Sequence, residues 1–132
     1  MRILFVCYGN AYRSPLAEAL LKKRRPDLKI DSAGLKTSIP IGTSIKEFLK
    51  NNGATQYLKK IPQSIDQKDL KNYDLIVTME SIHTKEVLKK CPECENKIIE
   101  WNIKDPYFLD KKSAKEILQE IKIEVEKLAD SI

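Results

Sequence analysis

Cys7 and Arg13 are the residues of this chain best placed for chemistry, in the run Cys7-Tyr8-Gly9-Asn10-Ala11-Tyr12-Arg13-Ser14-Pro15. A thiol is a poor nucleophile until it ionises. Inward-pointing loop N–H groups, a helix N-terminus and a nearby guanidinium all favour the thiolate, and cysteines so placed have pKa values of about 3.5–7.5. The same donors bind a tetrahedral oxyanion above the sulfur. An arginine grips two of its oxygens at once, which a lysine does not. These residue types suit attack on a phosphoryl group and a phospho-cysteine intermediate, with positioning and charge stabilisation supplying most of the catalysis. Ser14 is within reach of the sulfur and eases its departure in a second step. Gly9 and Asn10 tolerate the left-handed backbone that a loop wrapped round an anion needs.

Such a loop has to be held between a strand and a helix. The apolar run Ile3-Leu4-Phe5-Val6 reads as a buried parallel strand over residues 2–7. Ser14 suits the N-cap and Pro15 the first turn of a helix running to Arg25, with Leu16, Ala17, Leu20 and Leu21 on its apolar face and Pro26 ending it. Leu28 to Ser32 reads as a second strand, completing a β-α-β unit. Gly34, Pro40 and Gly42 punctuate a loop over 34–43. Ser44 and Glu47 form a capping box for a helix carrying Ile45, Phe48 and Leu49, closed by Gly53. Asp66 suits the cap of a short turn before Leu70, Leu75 to Thr78 a third strand, and Ser81 the cap of a helix bearing Ile82, Val87 and Leu88 up to Pro92. Ile98 to Trp101 reads as a fourth strand. Ser113 and Glu116 form a second capping box, before a last helix apolar at 117, 121, 125, 128 and 132. This alternation predicts one α/β domain over residues 1–132, a flavodoxin-like three-layer sandwich. Its four parallel strands, in the order 2-1-3-4, carry helices on both faces. The ligand belongs at the carboxyl ends of the strands. Cys7 ends strand one there and Asp105 follows strand four there.

Cys-x5-Arg-Ser-Pro near the N-terminus resembles the phosphate loop of the low-molecular-weight protein tyrosine phosphatase family. Three further stretches resemble the family in order: Asp31-Ser32-Ala33-Gly34, Tyr73-Asp74-Leu75-Ile76-Val77-Thr78-Met79-Glu80 and Asp105-Pro106-Tyr107. The resemblance implies a cysteine-dependent phosphomonoester hydrolase, with Cys7 as nucleophile, Arg13 binding phosphate and Asp105 as general acid. Tyr8, Gly9, Asn10, Ala11, Tyr12, Ser14 and Tyr107 then line the phosphate and substrate site. Ser32 supports the loop asparagine, and no cofactor or metal is required. One cleft wall falls to Leu35, Ile39, Pro40 and Ile41, where the family often carries an aromatic. Tyr12 stands where the family usually has a second cysteine, and Ala11 is smaller than the isoleucine of tyrosine-specific members. The substrate, whether phosphotyrosine, phosphoarginine or a small phosphomonoester, therefore stays open. A second activity of the same fold and loop, thioredoxin-coupled arsenate reduction, would enlist Cys91 and Cys94.

Composition sets the outer bounds. The charged share of 33% against 42% hydrophobic is a soluble globular balance. The apolar start feeds straight into the motif and does not read as a signal peptide, and no run approaches membrane-spanning length, so a cytoplasmic protein with no membrane partner is expected. The net charge of +5 suits anionic ligands such as phosphorylated proteins. Lys22-Lys23-Arg24-Arg25 lacks interleaved aromatics and reads as a solvated helix end, not a nucleic-acid surface. Cys91-Pro92-Glu93-Cys94 is half a zinc site, a local disulfide, a redox pair or an incidental turn. His83, the only histidine, reads as a surface residue.

Overall fold

Ile3, Leu4, Phe5 and Val6 expose no surface, because the strand they form is covered on both faces and flanked on both sides. The computed structural model describes residues 1–132. The strands are β1 (Arg2–Cys7), β2 (Lys29–Gly34), β3 (Leu75–Thr78) and β4 (Ile98–Glu100). They form one parallel sheet in the order β2-β1-β3-β4, as expected. The helices are α1 (Arg13–Arg24), α2 (Thr43–Asn51), α3 (Ser81–Lys90) and α4 (Lys111–Ser131). Short 3-10 turns fill the connections, among them Thr55–Tyr57, Ile65–Gln67 and Pro106–Phe108.

The alternation along β1 sorts the core into two halves. Ile3, Phe5 and Cys7 face Leu16 and Leu21 of α1, Ile45 and Leu49 of α2, and Ile121 and Val125 of α4. Leu4 and Val6 face the other way, onto Ile65, Leu70, Ile76 and Val87. Each large apolar side chain buried this way contributes about 1.5–3 kcal/mol. Trp101, beyond the end of β4, packs its ring 5.6 Å from that of Phe5.

The strands lie where the pattern puts them, with β2 running on to Gly34. The helix starts differ. Ser14 is not the cap of α1: Tyr12 holds that place without a side-chain cap, and the Ser14 hydroxyl bonds inside the phosphate loop. The cap of α2 is Gly42, not Ser44, because the Gly42 N–H is held by the Ala11 carbonyl at 2.9 Å. Asp110, not Ser113, caps α4, accepting the Ser113 N–H at 2.7 Å. Ser64, not Asp66, caps the turn Ile65–Gln67 and accepts the Asp66 N–H at 3.1 Å. Glu80, not Ser81, stands at the cap of α3, and Ile82 on that helix is exposed. In every case but α1, an acceptor or glycine just upstream takes the cap.

Cys91 and Cys94 are joined in a disulfide. The pair lies after α3 and before β4, at the amino edge of the sheet, and packs on the Leu4–Val6 face. Cys7 lies at the carboxyl edge and on the opposite face. No helix is long and apolar enough to cross a membrane.

Candidate active site

β1 stops at Cys7 and the chain turns into α1 within a few residues, so the loop backbone has to curl. Asn10 takes the left-handed conformation at φ 52°, and its N–H points at the Cys7 sulfur, 3.3 Å away. Gly9 is not left-handed, contrary to expectation, and a side chain there would find its nearest neighbour, the Lys36 carbonyl, at 3.9 Å. The crowded glycine is Gly34, where a Cβ would meet Asn10 N at 2.7 Å, Gly9 C at 2.8 Å and Tyr8 O at 2.9 Å.

Beneath the loop lies a buried polar network. The Asn10 amide donates to Ser14 Oγ at 2.8 Å and to Ser32 Oγ at 2.9 Å. Its oxygen accepts from Lys59 Nζ at 2.9 Å and the Gln63 N–H at 2.8 Å. With these partners fixed, each serine turns its own hydrogen outward. Ser14 directs its hydrogen to the Cys7 sulfur at 2.9 Å, and Ser32 directs its own to buried Glu18 at 2.5 Å. Lys59 Nζ also lies 3.8 Å from Glu18 and 3.9 Å from Asp31. Burial lowers its pKa, against the raising effect of those two carboxylates. Such a network fixes one loop conformation, since any unpaired member is costly.

Arg13 is almost wholly buried. Its Nη1 donates to the Ile103 carbonyl at 2.7 Å and lies 3.3 Å from Glu80 Oε2, and its Nη2 lies 3.6 Å from Asp105 Oδ2. Asp105 also accepts the Tyr107 N–H at 3.0 Å, which fixes its carboxylate at the cleft mouth. Cys7, Arg13 and Asp105 thus share one cleft of about 280 Å³. Its walls include Tyr8, Gly9, Ala11, Tyr12 and Tyr107, whereas Asn10 and Ser14 lie buried beneath the loop and not on the cleft wall. Tyr12 and Tyr107 meet edge to face at 5.7 Å, and Tyr107 meets Phe108 at 4.7 Å. Burial, then Tyr107 and Asp105, raise the Tyr12 pKa.

The loop after β2 differs from the reading in part. Lys36, Ser38 and Ile39 face the cleft, while Ile41 is in the main core and Leu35 packs on the other face. His83 is not on the surface. It is fully buried, and its Nδ1 accepts the Glu80 N–H at 3.0 Å. Burial, then the charge of Arg13, push its pKa down to about 4. Lys59, Glu18, Gln63, Glu80 and Phe108 are site residues that the sequence reading passed over. Glu18 was signalled by its place on the inner side of α1, four residues after Ser14 and four before Lys22. No local pattern marked Lys59. No group of three or more His, Cys, Asp or Glu is gathered to hold a metal ion.

The sequence profile described as "Low molecular weight phosphotyrosine protein phosphatase" matches residues 2–132. The chain belongs to this family. Among curated members of the low molecular weight phosphatase family, the protein-tyrosine-phosphatase Wzb of Escherichia coli K12 is 35% identical over 121 residues, 80% of this chain and 77% of that protein. The structure of Vibrio vulnificus Wzb in complex with benzylphosphonate superposes with a TM-score of 0.87 at 27% identity, covering 99% of this chain and 98% of that one. An arsenate reductase from Archaeoglobus fulgidus superposes at a TM-score of 0.76 and 27% identity, covering 97% and 98%. The low molecular weight phosphatase fold thus spans both activities considered from the sequence.

Proposed function

We propose that this low molecular weight phosphatase hydrolyses phosphate monoesters, phosphotyrosine in proteins foremost, through a phospho-cysteine on Cys7. One observation carries the reading: the Cys7 sulfur, the Arg13 fork and the Asp105 carboxyl converge on a single cleft, on a loop held by Asn10, Ser14 and Ser32. Arg13 and the loop N–H groups bind the equatorial oxygens of the phosphoryl group. The Cys7 thiolate attacks phosphorus, the P–O ester bond breaks, and the departing oxygen takes the Asp105 proton. Water then attacks the phospho-cysteine and gives a proton back to Asp105. The P–S bond breaks, and the Ser14 O–H stabilises the returning thiolate. Tyr8, Tyr12, Tyr107 and Phe108 supply aromatic walls that the loop after β2 does not, which suits an aryl ester.

Arsenate reduction through Cys91 and Cys94 is disfavoured, because the pair occupies the far edge and other face of the sheet. The test is p-nitrophenyl phosphate hydrolysis by wild-type, Cys7→Ser and Asp105→Asn protein. Cys7→Ser abolishes turnover while keeping phosphate binding. Asp105→Asn slows the poorest leaving groups most. Turnover surviving in Cys7→Ser overturns the mechanism. Phosphotyrosine and phosphoarginine peptides run side by side then choose the substrate.

A further inference from the structure

One buried side-chain polar atom of the structure lacks a hydrogen-bond partner: Nε2 of His83. Nδ1 of the same ring accepts the Glu80 N–H, so the ring proton sits on Nε2. A buried donor left unpaired is costly, and folded proteins seldom retain one without a use. The acceptor before it is Glu80 Oε2, 3.7 Å away. That same oxygen lies 3.3 Å from Arg13 Nη1. The carboxylate therefore stands between two donors, with the arginine the nearer. An N–H···O bond spans about 2.7–3.2 Å, so a small displacement of Glu80 completes the bond to His83.

We propose that His83 is a positioning residue for phosphate binding: its Nε2–H captures the Glu80 carboxylate when an oxyanion enters the cleft, and Glu80 thereby fixes the angle of the Arg13 fork. The inference rests on the phosphate-binding reading above. An incoming oxyanion competes for the guanidinium with the carboxylates on it. As Arg13 turns to the oxyanion, Glu80 gives up part of its pairing and finds a second donor already aimed at it. The unpaired Nε2–H is satisfied once phosphate is bound, so the gain accrues to the bound state. The Ile103 carbonyl keeps Nη1 in place throughout. His83 stays neutral under ordinary conditions, so it acts as a dipolar donor and adds no charge beside Arg13.

Two variants separate this role from simple packing. His83→Asn retains an acceptor for the Glu80 N–H but is too short to reach the carboxylate. His83→Gln forfeits that acceptor and carries its N–H donor at the reach of Nε2. The readouts are inorganic phosphate affinity by direct titration, kcat/KM for p-nitrophenyl phosphate, and Tm. The expectation for His83→Asn is phosphate affinity and kcat/KM down about tenfold with Tm near wild type. His83→Gln recovers phosphate affinity while melting lower. In a double-mutant cycle with Glu80→Gln, the His83→Asn loss largely disappears, because it acts through that carboxylate. In 15N-resolved spectra the Nε2 proton moves downfield on adding phosphate. Wild-type affinity in His83→Asn, or full additivity with Glu80→Gln, overturns the proposal. Phosphate titration needs no turnover, so a wild-type protein that binds phosphate yet leaves the aryl ester intact counts against the hydrolase reading alone.

Discussion

Replacing Gly34 by alanine tests how tightly the sheet dictates the shape of the phosphate loop. Gly34 lies opposite Cys7 in the β1–β2 register, and its N–H is held by the Gln63 carbonyl at 2.9 Å. A methyl group there would sit 2.7–2.9 Å from backbone atoms of Asn10, Gly9 and Tyr8. Carbon contacts relax near 3.5–4.0 Å, so relief takes a displacement of roughly 1 Å. No flexible side chain is available to yield, because all three neighbours are main chain. The loop moves or β2 does. The overpacking costs about 1–3 kcal/mol, read as a Tm lowered by several degrees. The larger effect is chemical. A shift of this size pulls the Asn10 N–H off the Cys7 sulfur, and misplacement of reacting groups by about 1 Å costs on the order of 100-fold in rate. The assay is kcat/KM for p-nitrophenyl phosphate, with competitive inhibition by vanadate and thermal melting on the same samples. A variant within twofold of wild-type kcat/KM refutes the reasoning. Gly9→Ala is the stability control, with a Tm shift worth well under about 1 kcal/mol, since its added Cβ meets nothing closer than 3.9 Å.

Lys59→Met strips Asn10 and Ser32 of their shared cation and leaves Glu18 buried with less compensation. Urea denaturation should show a loss of about 3 kcal/mol, with kcat/KM down about tenfold; an unchanged denaturation midpoint counts against the network. His83 also makes stability depend on pH. Its folded pKa of about 4 lies below the unfolded value near 6.5, so between those pH values the unfolded chain binds a proton that the folded chain does not. Its contribution is whole above about pH 6.5 and declines as pH falls toward 4, by about 1.4 kcal/mol per unit and about 3 kcal/mol in all. Denaturation curves of wild-type and His83→Gln protein across that window check the sign, since the variant lacks this slope; equal slopes refute it. Cys91→Ser and Cys94→Ser should leave aryl phosphate turnover within twofold of wild type, measured with and without reductant, because the disulfide faces away from the cleft. A tenfold loss in either would show coupling across the sheet.

Most of the layout was legible because the strands are short apolar runs bounded by glycine and polar residues, and a buried parallel strand leaves that mark. The loop was legible because its residue types serve one chemistry at fixed spacing. Helix starts were not, since Ser44, Ser81 and Ser113 looked like caps while Gly42 is held from the distant Ala11 carbonyl and Glu80 and Asp110 compete locally, one to three residues upstream. Gly34, read only as loop punctuation, is the crowded glycine, because the phosphate loop at Tyr8, Gly9 and Asn10 folds onto it, which spacing along one strand does not reveal. Lys59 carries no local signal, and only the fold brings it under Asn10. His83 gave a signal after all, standing three residues after Glu80 in the pattern of a reciprocal cap.

The hold of Ile103 on Arg13 bridges 90 residues of chain. Its carbonyl follows β4, which is three residues long, stands at the sheet margin and leaves Ile99 exposed. Short edges with few buried contacts are where native proteins open first. A brief excursion of this margin would release the guanidinium and carry off Asp105 while the loop around Cys7 stayed folded. Amide exchange should therefore find Ile99 and Tyr107 opening well below the global unfolding free energy, and Asn10 and Arg13 near it. During folding the order reverses. The sulfur and its loop close locally within the first β-α-β unit, and the anchor and acid arrive only with the last strand, since distant pairings form late.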